Sequence, residues 1–247
     1  MRYLILSDMH ANWDAFEVVL RRARRKRFDA ALVLGDLVGY GAAPNQVVEA
    51  VRHLAPRLFV VRGNHDKVAS GLDAGSNFNH TALAAAQWTA DRLTGANLRY
   101  VRELPEGPLE VEQGLAICHG SPLDEDTYVF SDVDAFEIFA SFNLPVTFFG
   151  HTHIPSVFSL EGRRLAVTAL RGASGRLQLD PQGRYLINPG SIGQPRDRDP
   201  RASFMTYDSD RRVVRWFRLP YPVAAAQKRI VRAGLPHALA DRLAIGA

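Results

Sequence analysis

Tyr3-Leu4-Ile5-Leu6-Ser7-Asp8-Met9-His10 is the stretch that decides the fold. A short apolar run rich in strand-forming residues ends in a carboxylate and an imidazole two positions apart. The run is too short for the roughly 7–15 apolar residues of a secretory leader, and it is bounded as a buried strand would be. The same event recurs four times. Ala31–Leu34 leads into Gly35-Asp36, Leu58–Val61 into Gly63-Asn64-His65-Asp66, Leu115–Cys118 into His119-Gly120, and Val146–Phe149 into Gly150-His151-Thr152-His153. Helical patterns separate the first of these runs. Trp13, Phe16, Leu20 and Ala23 recur at helical spacing between Asn12 and about Lys26, and a second helix is expected from Pro44 to about Leu54. Strands alternating with helices imply a largely parallel sheet, whose strand ends line one crevice. Five strand exits therefore deliver their polar residues to one place.

Beyond the second helix the reading predicts a helix over Asn79–Leu93 and strands at Leu98–Val101 and Leu109–Val111. A helix near Val133–Phe142 follows, and then a β-rich stretch at Val157–Leu160, Leu165–Val167, Tyr185–Ile187, Ala202–Tyr207 and Val213–Arg218. A second sheet is implied. The expected organisation is one domain over residues 1–221, with a helical extension, residues 222–247, packed on it.

Composition bounds the function. The 247 residues are 47% hydrophobic and 23% charged, which excludes a disordered chain, and the apolar runs fall far short of the roughly 20 residues of a membrane span. Cys118 is the single cysteine, so a disulfide or a thiolate metal site within the chain is excluded and a cytoplasmic protein is expected. The net charge of +4 is partly local to Arg21–Arg27, read as the solvated face and cationic end of a helix rather than a nucleic-acid patch.

The strand exits offer two carboxylates (Asp8, Asp36), four imidazoles (His10, His119, His151, His153) and the amide oxygen of Asn64. Oxygen and imidazole donors without thiolate suit manganese first, with iron, zinc, nickel or cobalt as alternatives. The set is large enough for two ions. A pair about 3.5–4 Å apart clamps phosphoryl oxygens and makes hydroxide from water at neutral pH, which points to phosphoester hydrolysis.

In order along the chain, Asp8-Met9-His10, Gly35-Asp36, Gly63-Asn64-His65-Asp66, His119-Gly120 and Gly150-His151-Thr152-His153 resemble the ordered signature of the calcineurin-like metallophosphoesterases. Asn188-Pro189-Gly190-Ser191 is similar to a segment of the small bacterial phosphodiesterases of that superfamily and extends the likeness to about Tyr207. The resemblance implies a four-layer αββα sandwich and a dinuclear centre. One metal would take Asp8, His10 and His153, the other Asn64, His119 and His151, and Asp36 would bridge them. It further implies that His65, oriented by Asp66, stabilises the phosphoryl group or protonates the leaving oxygen. Modest shifts would leave such a histidine protonated near neutral pH. Ala11 stands where many relatives have glycine.

The expected substrate is a small phosphorylated molecule, a phosphodiester or a nucleotide, with neither a membrane nor a nucleic acid as partner. A diadenosine-polyphosphate hydrolase or a protein phosphatase would use the same core, and a non-catalytic scaffold would keep the fold alone. An HD-type phosphohydrolase is disfavoured because its His-Asp pair lies on a helix, whereas His65-Asp66 follows a strand and a glycine. Loops at Gly71–Phe78, Ser121–Ser131 and Gln194–Arg201 are the expected pocket walls. Arg196 is a candidate phosphate contact. Asn12 is either a second substrate contact or the cap of the first helix, and His53, His80 and His237 read as structural.

Overall fold

The computed structural model describes residues 1–55 and 57–247. In chain order the elements begin with β1 (Arg2–Leu6), α1 (Trp13–Ala23), β2 (Ala30–Val33), α2 (Pro44–Arg52), β3 (Leu58–Val60), α3 (Asn64–Ala69), α4 (His80–Arg92) and α5 (Gly95–Arg102). They continue with β4 (Leu109–Glu112), β5 (Leu115–Ile117), α6 (Asp132–Ser141), β6 (Val146–Phe148), β7 (Ser156–Glu161), β8 (Arg164–Ala169) and β9 (Ser174–Gln178). The last are β10 (Arg184–Asn188), β11 (Ala202–Asp208), β12 (Val213–Leu219), α7 (Val223–Arg232) and α8 (His237–Ile245). Among the described residues, no helix is long and apolar enough to cross a membrane.

Among the described residues the strands form two six-stranded mixed sheets, ordered β3-β2-β1-β11-β12-β9 and β4-β5-β6-β10-β7-β8. Side-chain alternation explains the layers. Tyr3 and Ile5 of β1 pack with Leu115, Ile117, Val146 and Phe148 of the facing sheet, while Leu4 and Leu6 turn the other way onto Phe16 and Val19 of α1. The far side of the second sheet is covered by Ala135, Ile138 and Phe139 of α6, which meet Phe149 and Phe158. Helix, sheet, sheet, helix is the αββα sandwich expected from the sequence. The helices α7 and α8 close the α1 side through Ala226, Ile230, Leu239 and Leu243, and Arg229 Nε donates to Asp14 at 2.9 Å.

Three local readings are corrected. Leu98–Val101 lies in helix α5 instead of a strand, because Thr94 caps its start by accepting from Asn97 N at 3.3 Å. The Asn97 amide also donates to Asn45 and Glu49 of α2, tying the two helices together. Strand β9 is absent from the sequence reading. Its Ser-Gly-Arg-Leu-Gln pairs with β12, and Gly175 lies flat against the Trp216 ring, so the strand is carried by its partner rather than by its own apolar pattern. Finally, His65 and Asp66 do open a helix, the short α3, so their distinction from the HD pair rests on the strand-loop-helix context and not on the lack of a helix.

Parallel pairing of β1 with β2, β2 with β3, and β5 with β6 gives each group of strands a common exit end. The two sheets meet at those ends. Gly150 N donates to His119 O at 2.7 Å within the second sheet, and His151 N reaches across to Asp8 Oδ1 at 3.3 Å.

Candidate metal centre

The Asn188–Gly193 segment straps the exits together. Asn188 Nδ2 donates to Gly150 O at 2.6 Å, Ser191 Oγ to Asp8 O at 2.8 Å, and Gly193 N to the same carbonyl at 2.9 Å. Close approach is required here, because a Cβ on Gly150 would lie 2.9 Å from Asp8 Oδ2 and against Ser7 Oγ. Gly150→Ala is therefore expected to keep the fold by circular dichroism and to weaken manganese binding about 10- to 100-fold by calorimetry, the usual cost of displacing a ligand's support.

Backbone conformation is unusual at the same points. Asp8, His10, Asp36, His151 and His153 all have φ between 46° and 65°, the left-handed region that L-residues avoid at a cost of about 1–2 kcal/mol each. Ala11 joins them at φ 51°, a conformation glycine adopts without that cost.

These turns bring the buried donors into two overlapping groups. Asp8, His10, Asp36 and His153 offer ligand atoms within 4.8 Å of one another, and so do Asp36, His119 and His151. Asp36 belongs to both, since its Oδ2 lies 3.4 Å from His10 Nε2 and 3.5 Å from His119 Nε2. Asn64 Oδ1 joins the second group at 3.2 Å from His119 Nε2.

The ring nitrogens facing away from the centre fix the tautomers. His10 Nδ1 donates to Val38 O at 3.1 Å, His119 Nδ1 to Leu34 O at 2.7 Å, and His153 Nδ1 to Gln194 O at 2.6 Å. Each Nε2 lone pair then points inward. His151 is reversed, with Nε2 donating to Asp126 O at 3.1 Å, which leaves Nδ1 as its ligand atom. His10 Nε2 and His153 Nε2 are 3.1 Å apart with no proton between them from either tautomer. Facing lone pairs at that distance repel unless a cation lies between, so the donor set fits divalent metal ions.

Burial and neighbouring charge shift these groups in both directions. Desolvation, reinforced by His153, holds His10 well below the ordinary imidazole range; burial and Arg196 bring His153 down to about 4. His151 is also lowered, by burial and then by His119. Burial opposes ionisation of Asp8, but the neighbouring His153 and the Ser7 hydroxyl outweigh that and hold the carboxyl low. Asp36 is pushed up by burial and by Asp66 and Asp8, while His119 beside it is raised because the two carboxylates outweigh burial.

The cleft above the centre holds about 190 Å³ and is walled by His65, Tyr40, Phe78, Lys67, Tyr128 and Arg196, with residues from all three loops expected to line it. His65 is held by rings rather than by Asp66. Its imidazole lies 4.3 Å from Tyr40 and 4.6 Å from Phe78 by centroids, and Gly39, at φ 89°, leaves the space a Cβ would take from it. Asp66 spends both oxygens on the backbone N–H groups of Leu37, Val38 and Gly63, because α3 points its carboxylate at the β2 exit. The expected Asp66–His65 orientation is thus corrected: Asp66 fixes the loop that covers His65. Its own carboxyl rises to about 6 through burial. Burial and Arg196 also push His65 toward the neutral form, contrary to the protonated state expected from sequence.

Arg196 reaches the cleft with its guanidinium 5.9 Å above the Tyr40 ring, Nη2 donating to Gln194 Oε1 at 3.2 Å and its buried Nε unpartnered. The neighbouring acids pair elsewhere, Asp197 with Arg218 and Asp199 with Arg201. Asn12 does not line the cleft. Its Oδ1 caps α1 at Ala15 N and its Nδ2 donates to Gly193 O, so it is committed to the strap. Cys118 is buried beside His119, and burial raises its thiol far above the ordinary range. Phe78 and Tyr128 come from two of the loops expected as walls, and Asn188 and Ser191 from the Asn-Pro-Gly-Ser segment, but the sequence reading gives none of them an individual role; Tyr40 lies outside that reading, its one signal a ring bracketed by Gly39 and Gly41.

The model of the calcineurin-like phosphoesterase superfamily domain matches residues 1–212. An uncharacterized protein of Methanocaldococcus jannaschii is 35% identical over 250 residues, covering 98% of this chain and 97% of its own. A symmetrical bis(5'-nucleosyl)-tetraphosphatase of Sodalis glossinidius is 29% identical over 128 residues, 48% of this chain and 43% of that one. A metallophosphoesterase structure from Sphaerobacter thermophilus superposes with a TM-score of 0.87 at 38% identity, covering 100% and 99% of the two chains. A hypothetical protein from Pyrococcus horikoshii shares the fold, with a TM-score of 0.81 at 19% identity over 100% and 98%. With its signature residues gathered at one sheet edge, the chain belongs to the calcineurin-like phosphoesterase superfamily.

Proposed function

We propose that this protein hydrolyses small phosphoesters, phosphodiesters or nucleotides, in a metal-dependent reaction. The observation that carries the reading is the Asp36 carboxylate shared between His10 Nε2 and His119 Nε2, below a cleft that also presents His65 and Arg196. Asp8, His10, Asp36 and His153 would hold one ion and Asp36, Asn64, His119 and His151 the other, with manganese the first choice for this donor set. When bound, the two cations supply Lewis acidity toward phosphoryl oxygens and lower the pKa of water.

The chain's own groups do the rest. The Arg196 guanidinium, held by the neutral groups Gln194 Oε1 and Tyr40 Oη, anchors a phosphate oxygen at the cleft wall. His65 Nδ1 is buried without a partner among the described residues, so Nε2 is the nitrogen available to the cleft, where the negative charge of a bound phosphoryl group would favour the protonated ring that gives its proton to a departing oxygen. Tyr40 and Phe78 hold that ring in place and exclude water from its faces. The reading includes a cytoplasmic location, in keeping with a lone, buried, protonated cysteine. A dinucleoside-polyphosphate substrate is a second reading, favoured by the partial likeness to the Sodalis enzyme.

The test is hydrolysis of bis-p-nitrophenyl phosphate by chelator-stripped protein resupplied with Mn, Ni, Zn, Mg or Fe, followed by a panel of nucleotides, dinucleoside polyphosphates and phosphopeptides. Turnover restored by manganese is the expected result. Two bound ions per chain with no hydrolysis of any member would leave a scaffold instead.

A further inference from the structure

The cleft is smaller than the roughly 300–1,000 Å³ of sites that enclose a drug-sized ligand. Its deep part accommodates a phosphoryl group and little more, so the organic part of a substrate must lie over the rim. From Tyr128 on the cleft wall a ladder of rings runs outward. Tyr128 stacks on His151 with centroids 3.8 Å apart and planes within 17°, and Phe130 stacks on Tyr128 at 5.2 Å and 14°. Both rings are open to solvent, Tyr128 at 41% and Phe130 at 57%. Tyr128 lies between His151 and Phe130 in this ladder, so the flat face left open to a ligand is the outer face of Phe130.

The ladder is held rigidly in register with the centre. Ser121 N donates to Thr127 O at 2.9 Å and His151 Nε2 to Asp126 O. Lys67 Nζ clamps Asp126 at 2.6 Å and Glu125 at 3.0 Å, and Arg62 Nη2 holds Glu125 at 2.8 Å. On the outer side, Phe130 N and Ser131 N both donate to Asp134 Oδ2, fixing the start of α6. Such a shelf loses little freedom on binding.

We infer that Tyr128 and Phe130 form a stacking shelf for a nucleobase, so that the preferred substrates are nucleoside phosphoesters recognised by the ring rather than by the sugar. This rests on the phosphoesterase reading above and adds the recognition element to it. A parallel ring ladder suits a planar heterocycle and gives an alkyl chain no comparable contact, and stacking tolerates any base. The phosphate end is anchored by Arg196 across the cleft. The base then lies on the ladder.

Two measurements test it. Saturation-transfer NMR and titration calorimetry on the purified protein, with adenosine monophosphate and with ribose 5-phosphate, are expected to show the base protons receiving most of the saturation and about tenfold tighter binding of the nucleotide, as stacking of one base provides. Phe130→Ala removes an exposed ring without disturbing the core and should bring the two affinities within about twofold, whereas Tyr128→Phe keeps the ring and should keep the preference. In steady-state assays, the kcat/KM ratio of a nucleoside 5'-phosphodiester to glycerophosphoethanolamine should fall about tenfold in Phe130→Ala through KM. Equal affinity for the two phosphates, or a ratio unmoved by Phe130→Ala, overturns the shelf. Failure of the wild type to hydrolyse either diester with any metal would instead overturn the phosphoesterase reading, and the binding measurement would still judge the shelf.

Discussion

Asp36→Ala is expected to abolish turnover, lowering kcat by at least about a thousandfold, because a bound metal supplies several kcal/mol of transition-state stabilisation. The carboxylate does two things at once. Oδ2 is shared by the donor groups of both sites, and Oδ1 accepts the His65 backbone N–H at 2.9 Å. Alanine removes the shared oxygen and frees the first turn of α3. Plasma emission analysis of the purified variant should show fewer than two ions per chain. Asp36→Asn separates the two roles, since an amide oxygen still accepts from His65 but carries no charge. It should keep the position of His65 and still lose metal. A variant with two tightly held ions and activity within tenfold of wild type would remove Asp36 from the centre.

The second large effect belongs to His65. His65→Gln should retain both ions, since the ligand atoms assemble without its ring, and should lose about 10²- to 10⁴-fold in kcat as a proton donor is removed. The loss must depend on the leaving group. An alkoxide needs a proton as it departs, whereas p-nitrophenolate does not, so the variant should be crippled on alkyl diesters and far less impaired on the chromogenic one. Uniform loss across both would mean that His65 acts on the phosphoryl oxygens instead. The imidazole is buried at 3% exposure between Tyr40 and Phe78, so the fold around it should persist with a small cavity.

The centre was legible because its chemistry and its topology coincide. Asp8, Asp36, Asn64, His119, His151 and His153 each follow an apolar run, and parallel strands place such exits together whatever the loops do. What surrounds the centre was less legible, because it depends on contacts between segments far apart in sequence. Nothing near His65 announces that Phe78 and Tyr40 will flank it, or that Asp66 will turn toward Leu37 and Val38. Tyr128 and Phe130 read as ordinary loop residues until the Ser121–Ser131 segment is folded against His151. Asp197 stands next to Arg196 in sequence, yet Arg218 of β12 takes that acid and leaves the Arg196 guanidinium for the cleft. The misread α5 has the same origin. Leu98, Tyr100 and Val101 favour strands in isolation, and it is the Thr94 cap and the neighbouring α2 that decide otherwise.

The left-handed backbone at Asp8, His10, Asp36, His151 and His153 restricts how this sequence can drift. Aspartate and histidine belong to the few residue types that tolerate that conformation, and they are also the types a cation needs. Exchange for a β-branched or alanine side chain is therefore penalised twice, by geometry and by ligand loss. A lineage abandoning catalysis would be expected to place glycine or asparagine at these corners, leaving the outline of the centre readable long after its chemistry had gone.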